Sequence, residues 1–287
     1  AASDVYKRQF FGRVVMKKII SLCISALLFI ITPCTCFAEE ETKNYVQCTL
    51  LMEASTGTVI SEENGYKRVP QGTLNKLMTV LLTAEEIECG KMSVDTKLTA
   101  SANANQQQGA VVWLMQGETI TVDELLKAVI IGNANDASMV LAEEIGGDEN
   151  EFVGMMNARA FELGMRDTVF KNCAGYDAQG QYSTAYDTAL LTRELLKHDF
   201  LKSYMTSWMD SVRNGQTELV NENRLVRTYE GILGVKAGHS EESGYTLSLA
   251  AERDGQVYIS VVMGCSDKDE RLSLIHISEP TRLQLIS

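Results

Sequence analysis

Histidine, proline and basic residues are all scarce in this 287-residue chain. It contains 3 histidines and 3 prolines, and 26 Lys and Arg face 38 Asp and Glu, a net charge of −12. So few histidines argue against a multi-histidine metal site and leave little material for a Ser-His-Asp triad. The acidic balance argues against a nucleic-acid partner, which needs a broad basic face. The composition, 45% hydrophobic and 22% charged, is otherwise that of a globular protein.

The two ends of the sequence differ in character from the rest. Residues 1–9 read AASDVYKRQ, and residues 272–287 read LSLIHISEPTRLQLIS. Both are typical of translated sequencing adapters, so we interpret 1–15 as artefact plus leader and 272–287 as artefact. On this interpretation the natural chain continues past Arg271, and membrane attachment through that missing C-terminus stays open.

A secretory signal peptide is predicted at residues 16–38. Lys17 and Lys18 follow Met16, an apolar run IISLCISALLFII comes next, and Ala38 ends the segment with small residues at the cleavage positions. An uncleaved anchor is the alternative. The pattern predicts one exported domain at 39–271, located in the cell envelope.

Four cysteines remain in that domain: Cys48, Cys89, Cys173 and Cys265. Their spacing fits no zinc motif, so we expect no metal and no cofactor. Buried thiols and an export-compartment disulfide both stay open, and the sequence does not pair the cysteines.

Strand patterns at both ends enclose a helical middle. The expected helices begin at Thr73, Thr121, Asp136, Glu149 and Ala185, and the expected strands are 45–53, 58–61, 245–252 and 256–263. Asp254-Gly255 is a strong hairpin signal between the last two strands. The pattern predicts an α/β (α+β) fold in which the two termini build one antiparallel sheet of about five strands, flanked by helices, with a mostly helical subdomain.

Three short segments contain candidate catalytic or substrate-binding residues. They are Thr73-Leu74-Asn75-Lys76 at a helix start, Asn133-Ala134-Asn135 between two helices, and Lys236-Ala237-Gly238 before the last strands. Residues i and i+3 share a helix face, so the Thr73 hydroxyl is expected to meet the Lys76 amine. A buried lysine beside another cation can lose its proton and act as a base.

These segments stand in a chain that resembles the D-alanyl-D-alanine carboxypeptidase family of low-molecular-weight penicillin-binding proteins. The resemblance covers nearly all of 45–271, including GETITVDELLKAVIIGNANDASMVLAE, FVGMMNARAFELGMRDTVFKNCAGYD and GVKAGHSEESGYTLSLAAERDG. It implies the fold of the penicillin-binding proteins and serine β-lactamases. It also implies acyl-enzyme removal of the terminal D-Ala from a peptidoglycan stem peptide, with β-lactams as further ligands.

The resemblance also implies roles for individual residues. Thr73 takes the nucleophile position, Lys76 that of the base, and Asn133 that of the proton relay. Substrate-binding positions fall on Asn135, Lys236, Ala237, Gly238 and His239. The oxyanion hole would be formed by the backbone N–H groups of Thr73 and His239.

Three hydroxyl positions of the family pattern are altered. Thr73 and Asn133 stand where the family has serine, and Ala237 stands where it has threonine. Thr73 keeps a hydroxyl, but its methyl stiffens χ1. Asn133 lacks a relay hydroxyl, and Ala237 removes a donor to the substrate carboxylate.

Two alternatives to the carboxypeptidase therefore stay open. The first is a family member that binds stem peptide or a cell-wall partner without turnover. The second is a β-lactamase, disfavoured because no Glu-x-x-Leu-Asn segment is present. In each case Thr73, Lys76, Asn133, Asn135 and Lys236 are expected to converge on one cleft. Trp113 is expected either in the wall of that cleft or, more commonly for tryptophan, in the core.

Overall fold

A five-stranded antiparallel sheet joins the two ends of the chain that the computed structural model describes, residue 45 and residues 47–272. The expected signal peptide and the expected artefact segments, apart from Leu272, lie outside these residues. The strands are β1 Cys48–Glu53, β2 Val59–Glu63, β3 Lys97–Thr99, β4 Thr119–Thr121, β5 Met209–Val212, β6 Thr217–Val220, β7 Ile232–Ser240, β8 Gly244–Arg253 and β9 Gln256–Cys265.

The helices lie between the first and the last strands of this sheet. The α-helices are α1 Lys76–Glu88, α2 Ala102–Asn105, α3 Val122–Ile130, α4 Asn135–Gly146, α5 Glu149–Glu162, α6 Ala185–Leu195 and α7 Lys202–Met205. Three 3-10 turns cover Gly72–Asn75, Asp199–Leu201 and Arg224–Arg227. Among the described residues, no helix is both long and apolar enough to span a membrane.

The strand order is β2-β1-β9-β8-β7, so the last strand inserts beside the first. Leu50 of β1 faces Val261 of β9 in the antiparallel register. The prediction that 45–61 and 245–263 share one sheet is confirmed. Asp254 and Gly255 both have positive φ, 52° and 76°, as the two-residue turn between β8 and β9 requires.

The two faces of the sheet bury different clusters because side chains alternate along each strand. On one face, Ala250 and Ile259 join the main core with the helices, and α6 packs across the strands. On the other face, Leu247 and Leu249 join a smaller cluster covered by the turn that holds Leu225. Cys48, Cys89, Cys173 and Cys265 form no disulfide bond within the described residues, and all but Cys89 are buried.

Helix starts follow the sequence signals closely. Thr121 caps α3 in a full capping box with Glu124, and Asp148 caps α5. The expected helix from Ala185 to His198 ends earlier, at Leu195. The sequence prediction also missed β7, because Gly234, Gly238 and the buried Lys236 give that strand no alternating pattern.

Candidate active site

Thr73 lies in the 3-10 turn that leads into α1, with its side chain against β7 at Gly238. A Cβ atom placed on Gly238 would lie 1.6 Å from the Thr73 Oγ atom. Only glycine therefore fits at 238 while the hydroxyl keeps this position. Two segments that are far apart in sequence are joined by this contact.

The Thr73 hydroxyl is buried and has no hydrogen-bond partner among the described residues. The sequence predicts that this hydroxyl meets the Lys76 amine, but the two groups form no hydrogen bond. Lys76 Nζ donates instead to the carbonyl oxygen of Ala174, a loop residue that the helical spacing argument did not include. Packing, rather than a hydrogen bond within the described residues, thus holds the candidate nucleophile in place.

Lys76 is completely buried. Burial lowers the pKa of its amine well below the ordinary value, and the positive charge of Lys236 lowers it further. A lysine in this environment loses its proton more readily than an exposed lysine. It can therefore accept a proton, as a general base must.

Lys236 is also buried, and it is tied to the end of a helix. Its Nζ donates to the carbonyl oxygens of Val129, at 2.8 Å, and Ile130, at 3.3 Å, in the last turn of α3. Burial lowers its pKa to about 8, so it is still cationic at neutral pH. An ammonium group has three donors, and these two carbonyl oxygens accept from two of them.

The middle segment follows directly after α3. Asn133 has a positive φ of 58°, and its buried Oδ1 has no partner in the described part of the chain. Asn135 begins α4, and its Nδ2 donates to the carbonyl oxygen of Gln108 at 2.6 Å. The Asn135 amide therefore holds the loop around Gln108, which restricts the side chain that was expected to bind substrate.

Ala237 and His239 point away from Lys236 along the edge strand. Ala237 is buried in the smaller apolar cluster, where a methyl group packs without an unpaired hydroxyl. His239 is exposed, and its ring lies 4.4 Å from that of Tyr245. These two rings border a cleft of about 910 Å³ with four cations against two acids: Arg224, Arg227, Lys268, Arg271, Glu222 and Asp269.

Several residues at the mouth of the site escaped the sequence prediction. Ser240 Oγ donates to the Asp177 carboxylate at 2.6 Å and lies 2.8 Å from Ser243 Oγ, which fixes the turn after β7. Arg271 donates to the carbonyl oxygens of Gly238 and Thr246, at 3.2 and 3.0 Å. No local spacing signal marks these residues, because the bonds to Asp177, Gly238 and Thr246 join residues that are 25 to 63 positions apart.

The three expected segments are linked through these contacts. Thr73 touches Gly238, Lys236 acts electrostatically on Lys76, and Lys236 is bonded to the end of α3 that leads into Asn133. The described residues contain no group of three or more His, Cys, Asp or Glu that could hold a metal ion.

Solved proteins with this fold are penicillin-binding proteins and D-alanyl-D-alanine carboxypeptidases. Penicillin-binding protein 6B from Escherichia coli matches with a TM-score of 0.74 and 28% identity, over 83% of this chain and 77% of that one. Ampicillin-bound penicillin-binding protein D2 from Listeria monocytogenes matches with a TM-score of 0.72 and 28% identity, over 79% and 92%.

The family model for D-alanyl-D-alanine carboxypeptidase matches residues 36–267. DacF of Bacillus subtilis is 35% identical over 265 residues, 89% of this chain and 68% of that protein. DacC of Escherichia coli is 32% identical over 251 residues, 84% of this chain and 62% of that protein. The chain belongs to the D-alanyl-D-alanine carboxypeptidase family, and it spans about two thirds of the length of these two relatives.

Proposed function

We propose that this protein is a D-Ala-D-Ala carboxypeptidase that removes the terminal D-Ala from peptidoglycan stem peptides. The observation that carries the proposal is the buried Lys76, whose pKa is lowered well below its ordinary value, on the helix that Thr73 leads into. The names of the relatives DacF and DacC support the same activity.

The proposed reaction is acyl transfer. Thr73 Oγ attacks the carbonyl carbon of the penultimate D-Ala, and the hydroxyl proton passes to the lone pair of neutral Lys76. The peptide C–N bond breaks, and the terminal D-Ala leaves as an amine that takes up that proton. Water then hydrolyses the ester, which restores the Thr73 hydroxyl. The helix N-terminus at Thr73 favours the negative charge that develops on the carbonyl oxygen.

Recognition of the peptide terminus rests on positive charge. The ammonium group of Lys236, cationic at neutral pH, attracts the terminal carboxylate. This charge compensates for Ala237, which offers no hydroxyl donor. The Listeria protein was solved in ampicillin-bound and cefotaxime-bound forms, so we propose that β-lactams also acylate Thr73.

The place of action follows from the substrate. Peptidoglycan lies outside the cytoplasm, so we propose that the chain works in the cell envelope, consistent with the expected signal peptide. Attachment to the membrane through residues beyond Arg271 is part of this proposal. The acyl-transfer steps need no metal or cofactor.

The decisive test is release of D-Ala from a pentapeptide ending in D-Ala-D-Ala, followed alongside labelling by a fluorescent penicillin. Lys76→Gln should abolish both, because it removes the base. Lys91→Gln is the matched control, since Lys91 is an exposed lysine paired with Glu86. Peptide binding without D-Ala release by the unsubstituted protein would contradict the proposal and favour a binding protein.

A further inference from the structure

Residues 98–117 contain no charged side chain, in a chain of which 22% is charged. Within this segment Trp113 is 77% exposed and Met115 is 70% exposed. The expectation that Trp113 packs in the core is wrong. We name this exposed pair, Trp113 and Met115, the Trp113 platform.

The backbone that carries the platform is fixed from several sides. The buried carboxylate of Asp136 accepts from the backbone N–H groups of Val112, at 3.2 Å, and Leu114, at 3.0 Å. Arg213 donates to the carbonyl oxygens of Val112, at 2.6 Å, and Trp113, at 3.1 Å. All of these bonds use main-chain atoms of residues 112–114. None of them uses the indole ring of Trp113, which can therefore contact another molecule.

Trp113 also adopts a backbone conformation that bulky residues avoid, with a φ of 55°. Such a conformation costs free energy, and it persists where the surroundings over-determine it, often at functional sites. Here the bonds of Asp136 and Arg213 supply that constraint. The fold thus holds a large apolar side chain in solvent at a cost in folding free energy.

The platform adjoins the candidate active site. Asp136, which fixes it, directly follows Asn135 at the start of α4. Asn135 in turn binds the carbonyl oxygens of Gln108, through its side chain, and Ala110, through its backbone. The Tyr176 hydroxyl also donates to the carbonyl oxygen of Gln108 at 2.8 Å, and a Cβ on the neighbouring Gly175 would lie 3.0 Å from Thr73 Cα, so a substrate that extends from Thr73 along this loop reaches Trp113.

The chemistry of the segment indicates a neutral ligand. A preorganised, amphipathic indole provides a flat apolar face, and the exposed amides of Gln106, Gln108 and Gln116 donate and accept hydrogen bonds. A stem peptide carries ionised carboxylate and amine groups, for which an uncharged surface offers no partner. An N-acetylated sugar ring has apolar faces, hydroxyls and an amide, and it carries no charge.

We propose that the Trp113 platform is a carbohydrate subsite that stacks on an N-acetylated sugar of the glycan strand bearing the stem peptide. This inference rests on the proposed function for the identity of the substrate. It extends that function, because the enzyme then prefers stem peptides attached to a glycan strand over free peptides.

Direct binding tests the subsite without any need for turnover. The chain has 2 tryptophans, so its ¹⁵N spectrum has two indole signals, and Trp113→Phe assigns them. Titration with chitotetraose should shift the Trp113 signal saturably and leave that of Trp208 in place. An unmoved Trp113 signal, equal shifts of both signals, or an equal response to the free pentapeptide would overturn the proposal.

A kinetic comparison supplies the second readout. The ratio of kcat/KM for a disaccharide-pentapeptide to that for the free pentapeptide should fall about three- to tenfold in Trp113→Ala, the worth of one good aromatic contact. Phe161→Ala, another exposed aromatic on α5, should keep the ratio. An unchanged ratio in Trp113→Ala would overturn the proposal. Absence of D-Ala release with intact sugar binding would contradict the carboxypeptidase function alone.

Discussion

Burial lowers the pKa of Lys76, and the charge of the equally buried Lys236 lowers it further. Lys76 therefore loses its proton more readily than an ordinary lysine, whereas Lys236, with a pKa of about 8, is cationic at neutral pH. We expect this difference to let one pair of identical side chains act as the base and as the anion-binding group.

This difference predicts a bell-shaped pH profile of kcat/KM for D-Ala release. Activity should rise as Lys76 loses its proton, and it should fall as the pH passes about 8 and Lys236 becomes neutral. Lys236→Gln should lower activity and move the acidic limb to higher pH, because the pKa of Lys76 rises without the neighbouring charge. Lys91→Gln should keep both limbs, and an acidic limb that stays in place in Lys236→Gln would contradict the coupling.

Gly238→Ala should abolish penicillin labelling. The new Cβ would lie 1.6 Å from Thr73 Oγ, so the hydroxyl or the strand must move. A displacement of about 1 Å costs a reacting atom about a hundredfold in rate. Gly154→Ala is the control: it lies in exposed helix α5 with open space around it, and it should raise stability by about 0.5–1 kcal/mol while labelling persists. Normal labelling of Gly238→Ala would show that Thr73 acts from another position.

Restoring the family hydroxyls should speed penicillin labelling. Thr73→Ser removes a crowding methyl, Asn133→Ser returns a relay hydroxyl, and Ala237→Thr returns a donor worth about 1.5–3 kcal/mol, or about ten- to a hundredfold. The triple variant should exceed every single variant, because groups that act as a unit are not additive. Labelling rates and melting temperatures are measured together, since Ala237 packs in an apolar cluster. Faster labelling by the unsubstituted protein than by Thr73→Ser would disprove the steric argument.

Asp136→Asn should weaken the loop that carries Trp113. The carboxylate accepts from the N–H groups of Val112 and Leu114, and one oxygen would become an NH₂ group facing a donor. The expected loss in the free energy of unfolding is about 1–3 kcal/mol, measured by chemical denaturation. Asp148→Asn makes the same chemical change at the N-cap of α5, where Asp and Asn serve equally well, and should be close to neutral. Equal losses in the two variants would contradict a special role for Asp136.

The sheet and the helix boundaries were largely predictable because their signals are local. Capping at Thr121 and the turn at Asp254-Gly255 depend on neighbours in sequence, and the structure has both where expected. The bond from Lys76 to Ala174 was not predictable, because its acceptor comes from a distant loop. The exposure of Trp113 was not predicted for a related reason. Tryptophan is usually buried, and the backbone around Trp113 is fixed by tertiary hydrogen bonds from Asp136 and Arg213.

The insertion of β9 between β1 and β8 has a consequence for biosynthesis. The strand that carries Lys236 and Gly238 reaches β1 only through β8 and β9, so sheet formation requires the chain as far as Cys265. Pairings of such long sequence separation form late. A nascent polypeptide on the ribosome therefore holds Thr73 and Lys76 without their partners, and acyl-transfer chemistry is withheld until translation of the domain is nearly complete.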